Sequence, residues 1–154
     1  MRTITIDELK EILAEHKKWL NDKGGERADL REANLSGADL QGTDLREADL
    51  RKADLQYAIL YCADLRGSNL RDANLHCADL RGSDLRCASL RCASLQCANL
   101  SSANLSIADL KWADLRNANL YGANLYGARL RNVKTVVSLR RKYWQQTFRN
   151  SIFH

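Results

Sequence analysis

The residues of this chain best placed to do chemistry are its five cysteines, Cys62, Cys77, Cys87, Cys92 and Cys97. Three of them keep a strict beat in "RCASLRCASLQCANL", residues 86–100, and His76 stands beside Cys77. Thiolates and imidazoles at short spacing are zinc ligands, and paired thiols do redox chemistry. Aspartate is also plentiful, as general acid–base catalysis would require. Whether any of these groups converge depends on what a five-residue period does to the chain that carries them.

Leucine occupies every fifth position from Leu30 to Leu130, 21 times in unbroken register. Two residues before each leucine the side chain is small: alanine, or Thr43, Ser68 and Ser83. The residue just before leucine is Asp or Asn, with Ile59, Ser89, Ser94 and Arg129 as the exceptions. On a helix of 3.6 residues per turn, five residues rotate the chain by about 140°, which scatters the leucines. A plain strand would send alternate leucines to opposite faces. So strict a period requires equivalent units about a common axis, the mark of a solenoid.

The units "ADLRE", "ANLSG", "ADLQG" and "ANLYG" resemble those of the pentapeptide-repeat proteins, whose consensus is A-(D/N)-L-x-x. The likeness covers residues 28–132, and the chain resembles the helix-capped cyanobacterial members. It implies an all-β solenoid, a right-handed quadrilateral β-helix with one pentapeptide per side and 20 residues per coil. Twenty-one units then make about five coils, a rod about 25 Å long at the spacing of paired strands. Four inward ladders result. They are Leu30, Leu50, Leu70, Leu90, Leu110 and Leu130; Leu35, Leu55, Leu75, Leu95 and Leu115; Leu40, Leu60, Leu80, Leu100 and Leu120; and Leu45, Leu65, Leu85, Leu105 and Leu125.

On that frame Cys87, Cys92 and Cys97 lie on three successive sides and point apart, so their spacing is a by-product of the period. Cys77 and Cys97 are twenty residues apart and stack in adjacent coils, about 4.8 Å from each other, within the range of a disulfide although in-register stacking gives it a poor dihedral; two reduced thiols are the expectation. With His76 they make one histidine and two cysteines, which fall short of a metal site when about four ligands are needed. The aspartates and asparagines repeat too evenly for catalysis and read as turn formers. No glycine-rich phosphate loop and no Ser-His-Asp set accompanies them. The sequence therefore predicts no catalytic, cofactor-binding or metal site, and no enzyme.

The flanks read as caps. In residues 1–27, "TIDE" fits a capping box with Thr5 as N-cap and Glu8 reaching back, and Ile4 with Leu9 fits a hydrophobic staple. A helix is expected over about residues 6–22, stopped by Gly24-Gly25. Residues 133–154 break the repeat. They hold Lys134, Arg140, Arg141, Lys142 and Arg149 with no acid, and their apolar spacing predicts a basic, aromatic C-terminal helix.

The formal charge of +5 sits in that tail; residues 28–132 hold thirteen basic and thirteen acidic groups. Stacked at twenty residues, Arg31, Arg51, Arg71, Arg91, Lys111 and Arg131 form one basic column. It reads as a solvated face or as a docking strip for an acidic protein or polyanion. Trp112, Tyr121, Tyr126, Tyr143, Trp144 and Phe148 crowd the C-terminal end, as helix packing or as an interface, a homodimer included.

No stretch approaches the roughly 18 apolar residues of a membrane span, and "MRTITIDELKEI" has no apolar signal core. A soluble, cytoplasmic protein with reduced thiols is expected. The composition favours a non-catalytic scaffold or protein-interaction module. Some relatives bind DNA gyrase by imitating DNA, which needs a strongly negative rod; a neutral rod with a basic face speaks against that reading. Nucleic-acid or membrane-surface binding through the basic tail is a weaker alternative.

Overall fold

The computed structural model describes residues 1–135. Its repeating unit is a turn. In each pentapeptide the alanine N–H donates to the leucine carbonyl three residues earlier, as from Ala53 to Leu50 at 3.1 Å. The second residue after leucine takes positive φ, 58° at Lys52 and 66° at Gly67. Positive φ at that place alone marks a type II turn. The Asp or Asn before leucine braces it, its Oδ1 accepting the N–H two residues on, as Asn74 does from His76 at 3.3 Å.

Such turns bend the chain at every fifth residue and return it beside itself after twenty. Parallel bridges join Asp29 to Asp49, Asp49 to Asn69, and so on to Asp114 with Lys134. Adjacent coils are tied by bonds such as Leu50 N–H to the Asn69 carbonyl, 2.8 Å, and Asn69 N–H to the Ala48 carbonyl, 2.9 Å. Four turns per return give a four-sided β-helix. Lys134 keeps this path although "NVKTV" breaks the sequence pattern: its N–H reaches the Ala113 carbonyl at 2.9 Å.

Leucine and alanine fill the axis. Leu30 to Leu115 are buried throughout, and Leu125 also, while Leu120 and Leu130 are partly buried. Thr43, Ser68 and Ser83 fit among the alanines because each hydroxyl donates to a leucine carbonyl of its own turn, at 2.7 Å in all three. An inward hydroxyl without such a partner would be destabilising.

The N-terminal end is closed by two elements. Strand β1, Arg2–Thr3, pairs in parallel with β2, Ala33–Asn34, covering an otherwise open edge. Helix α1 spans Ile6–Leu20 and has both bonds of the capping box: the Thr5 N–H to Glu8 Oε2 at 2.7 Å and the Glu8 N–H to Thr5 Oγ1 at 3.2 Å. Ile4, Leu9, Ile12 and Leu13 pack on the core. The helix stops at Asn21, slightly before the expected residue 22. Gly25 follows at φ 79°, so close to the helix that a Cβ there would clash with the Glu15 carbonyl.

His16 fastens the helix to the first coil. It is fully buried, its ring stacks on Trp19 with centroids 5.7 Å apart, and its Nδ1 accepts the Ala28 N–H at 3.1 Å. Burial pushes its pKa down, so the ring is neutral. The sequence pattern marks neither β1 nor this bond, because both depend on where the helix meets the first coil.

Candidate interaction surface

The two residues after each leucine stand on the outside, so the surface is written almost wholly at those positions. Where the triplet Asp-Leu-Arg occurs, the arginine folds back on the aspartate two residues earlier. Arg51 shows the geometry: Nε is 2.8 Å from Asp49 Oδ1 and Nη2 is 2.6 Å from Oδ2. The same forked pair forms at Asp29–Arg31, Asp44–Arg46, Asp64–Arg66, Asp79–Arg81, Asp84–Arg86 and Asp114–Arg116. Parallel Arg–carboxylate bonds of this kind are the strong ones. They hold the carboxyls of Asp29, Asp44, Asp49, Asp79 and Asp114 below their ordinary range, Asp29 to about 2, with the arginine side-chain bond as the main cause.

These clamps divide the basic column. Arg31 and Arg51 are spent on Asp29 and Asp49. Arg71 follows Asn69 and meets only the edge of Asp72, at 3.4 Å. Arg91 follows Ser89; its guanidinium lies over the Trp112 ring at 5.2 Å, and its Nε is buried without a hydrogen-bond partner. Such a stack is a cation–π contact. Lys111 follows Asp109, whose carboxylate also meets Arg129 at 3.8 Å. Arg131 follows Arg129 and is exposed. A shallow groove on the same face is lined by Arg31, Arg51, Lys52, Asn69, Arg71 and Asp72.

Charge is therefore graded along the axis, which a column-by-column reading of the sequence misses. Residues 28–87 hold eight basic and eleven acidic groups; residues 88–135 hold six and two. The basic end also bears the exposed apolar side chains Ile107, Trp112, Tyr121 and Tyr126, with Tyr121 67% exposed. Tyr143, Trp144 and Phe148, with the expected C-terminal helix, lie outside the described residues. Tyr61, lower on the rod, is covered by Arg81 at 5.4 Å.

The five cysteines are free thiols. Cys87 and Cys92 stand exposed on separate turns. Among the described residues one group of potential metal ligands converges, His76 with Cys77 and Cys97, all three donor atoms within 4.8 Å of one another. Burial and the neighbouring Cys97 push the Cys77 thiol up. No helix among the described residues is long and apolar enough to cross a membrane.

The family profile described as "Pentapeptide repeats (8 copies)" matches residues 28–67, 48–86 and 93–132. Among solved structures, the chain is 34% identical to alr5209, a pentapeptide repeat protein from Nostoc Pcc 7120, covering 86% of this chain and 96% of that one with a TM-score of 0.61. It is 33% identical to the pentapeptide repeat protein Rfr23 from the cyanobacterium Cyanothece 51142, with a TM-score of 0.54 and 63% of this chain covered. The match spans 63% of the length of Rfr23. QnrB1, a plasmid-mediated fluoroquinolone resistance protein, is 25% identical over 70% of this chain and 66% of its own, with a TM-score of 0.40, too loose a superposition to bear on function. No curated protein matches the chain.

Proposed function

The chain belongs to the pentapeptide-repeat family, and on that premise we propose that it is a non-catalytic scaffold whose rod docks an acidic partner protein along its C-terminal half. The family forms right-handed quadrilateral β-helices. In this chain we read about five coils, with residues 1–27 as the N-terminal cap, residues 28–132 as the β-helix and the tail from 133 as the C-terminal cap.

The observation that carries the proposal is the graded charge. Where the acids run out, Arg91, Lys111 and Arg131 lack the forked aspartate partner of Arg31 and Arg51. Trp112, Tyr121 and Tyr126 stand exposed at the same end. Arginine and aromatic side chains together are the usual anchors of protein interfaces. A homodimer through the C-terminal end belongs to the same reading, and the like charges Arg140, Arg141 and Lys142 count against it; light scattering on the full chain and on a chain ending at Asn132 tests it. A cytoplasmic setting fits the free thiols.

The test of the scaffold reading is affinity capture from the native cell with the full chain and with a Lys111→Glu/Arg131→Glu variant. Partners held by the full chain and released by the variant support it; identical capture by both removes the docking surface. Gyrase mimicry calls for a negative field along the whole rod, so purified chain is expected to leave DNA supercoiling unchanged at micromolar concentration.

A further inference from the structure

We propose that His76, Cys77 and Cys97 form a three-ligand site for a zinc-class metal ion that bridges two adjacent coils. The donor atoms already lie near the geometry such an ion needs. Zinc–sulfur bonds of about 2.3 Å and zinc–nitrogen bonds of about 2.0 Å at a tetrahedral angle put a nitrogen and a sulfur ligand about 3.5 Å apart, and two sulfurs about 3.8 Å apart. Here Nε2 of His76 is 3.4 Å from Sγ of Cys77. Cys97 Sγ completes a triangle with no side above 4.8 Å. The largest closure required is therefore about 1.3 Å at most, within reach of a χ1 adjustment at an exposed thiol.

The backbone holds the ligands in place. Cys77 and Cys97 occupy the same turn position in successive coils, at φ 55° and 59°. The Cys77 N–H donates to the Gln96 carbonyl at 2.9 Å, locking the two turns together. His76 is seated edge-on against Tyr57, with centroids 5.9 Å apart and planes at 81°. Its backbone N–H donates to Asn74 Oδ1 at 3.3 Å. The fold itself thus preorganises the site.

No other cysteine has a thiol one coil away. At a spacing of twenty, Cys62 stacks with Gly82, Cys87 with Gly67 and Ile107, and Cys92 with Asp72 and Trp112. The count of four ligands that the sequence fails to reach belongs to closed structural sites. Two cysteines and one histidine with a fourth position open to water make the open kind. Cys97 is exposed and supplies that opening. On binding, each thiol releases its proton to solvent, the two thiolates neutralise the dication, and the neutral imidazole donates the Nε2 lone pair.

Cobalt(II) is the probe, since it adopts the zinc geometry and reports thiolate ligands by a charge-transfer absorption. The full chain, reduced with a phosphine, is expected to take up one equivalent with that absorption, displaced by added zinc chloride. Cys77→Ser and Cys97→Ser should each weaken binding by about tenfold or more, by analogy with the effect of disturbing lesser ligand contacts. A Cys62→Ser/Cys87→Ser/Cys92→Ser variant should bind as the parent does. Circular dichroism on every variant checks that the β-helix is intact, and zinc should raise the melting temperature of the parent but not of Cys97→Ser. The proposal is overturned by no uptake into the reduced chain. It is equally overturned by uptake that survives both single variants, or by uptake lost in the triple variant.

Discussion

Between residues 28 and 87 the rod carries eleven acidic side chains; between 88 and 135 it carries two, Asp109 and Asp114. The leucine–alanine core runs through both stretches almost without change. The N-terminal half holds six of the seven forked Asp–Arg pairs and is closed by β1, α1 and His16. The C-terminal half leaves its cations and aromatics facing outward. A uniform repeat thus separates two tasks: inward positions fix the fold, and outward turn positions vary without disturbing it. The same core supports a half in which most arginines are clamped and a half in which one is, at Arg116.

The largest effect that would sharpen this comparison is in the core. Leu70→Ala is expected to cost roughly 2–5 kcal/mol in denaturant unfolding, and Leu130→Ala clearly less, since Leu130 is only partly buried. Equal losses would show that the two ends are packed alike. Next comes the N-terminal closure. His16→Ala leaves the Ala28 N–H without its acceptor, a loss of about 1–3 kcal/mol, whereas His16→Asn keeps an oxygen near that place and should lose less.

Acid should separate the halves further. The folded pKa of His16 lies below the unfolded one, so on acidification below about pH 6.5 the unfolded chain binds the proton first and stability falls. His16→Asn should remove that first decline. A second follows as pH falls from about 3.9 towards 2, when the unfolded chain protonates the aspartates that the forked arginines hold ionised. Hydrogen exchange across this range is expected to open the N-terminal half first.

A smaller contrast lies between two arginines of one column. Arg51→Gln removes the partner of the well-buried Asp49 and should cost about 1 kcal/mol, discounted for the exposure of the arginine itself. Arg71→Gln should fall within about 0.5 kcal/mol of the parent. The smallest effect has the opposite sign. Ile107 is an exposed β-branched residue at φ 61°. Ile107→Gly relieves a strain of about 1–2 kcal/mol, offset in part by glycine's entropy, for a net gain below about 1 kcal/mol. If Ile107 serves docking, the stabilised variant should bind its partner more weakly.

Much of this was legible in the sequence. The leucine period alone implies equivalent sides and a common axis, and the capping box places the start of α1 at Ile6. The even spacing of Asp and Asn already speaks for turns. What the sequence hides depends on side chains meeting across turns. The fork of each Asp-Leu-Arg triplet follows from turn geometry, and the seat of Arg91 on Trp112 from the stacking of neighbouring columns. His76 and Cys77 look like chance neighbours until the turn aims Nε2 at the sulfur. The triplet is still a readable signal: counting Asp-Leu-Arg along the chain locates the clamped half.

The most direct test of the docking half is a nuclear magnetic resonance titration of the labelled full chain with a short poly-aspartate peptide at moderate salt. The account predicts shifts at Arg91, Lys111 and Arg131 and the Trp112 indole, with the clamped Arg31 and Arg51 unmoved. Shifts spread equally over Arg31 and Arg51, or none at all, would contradict it.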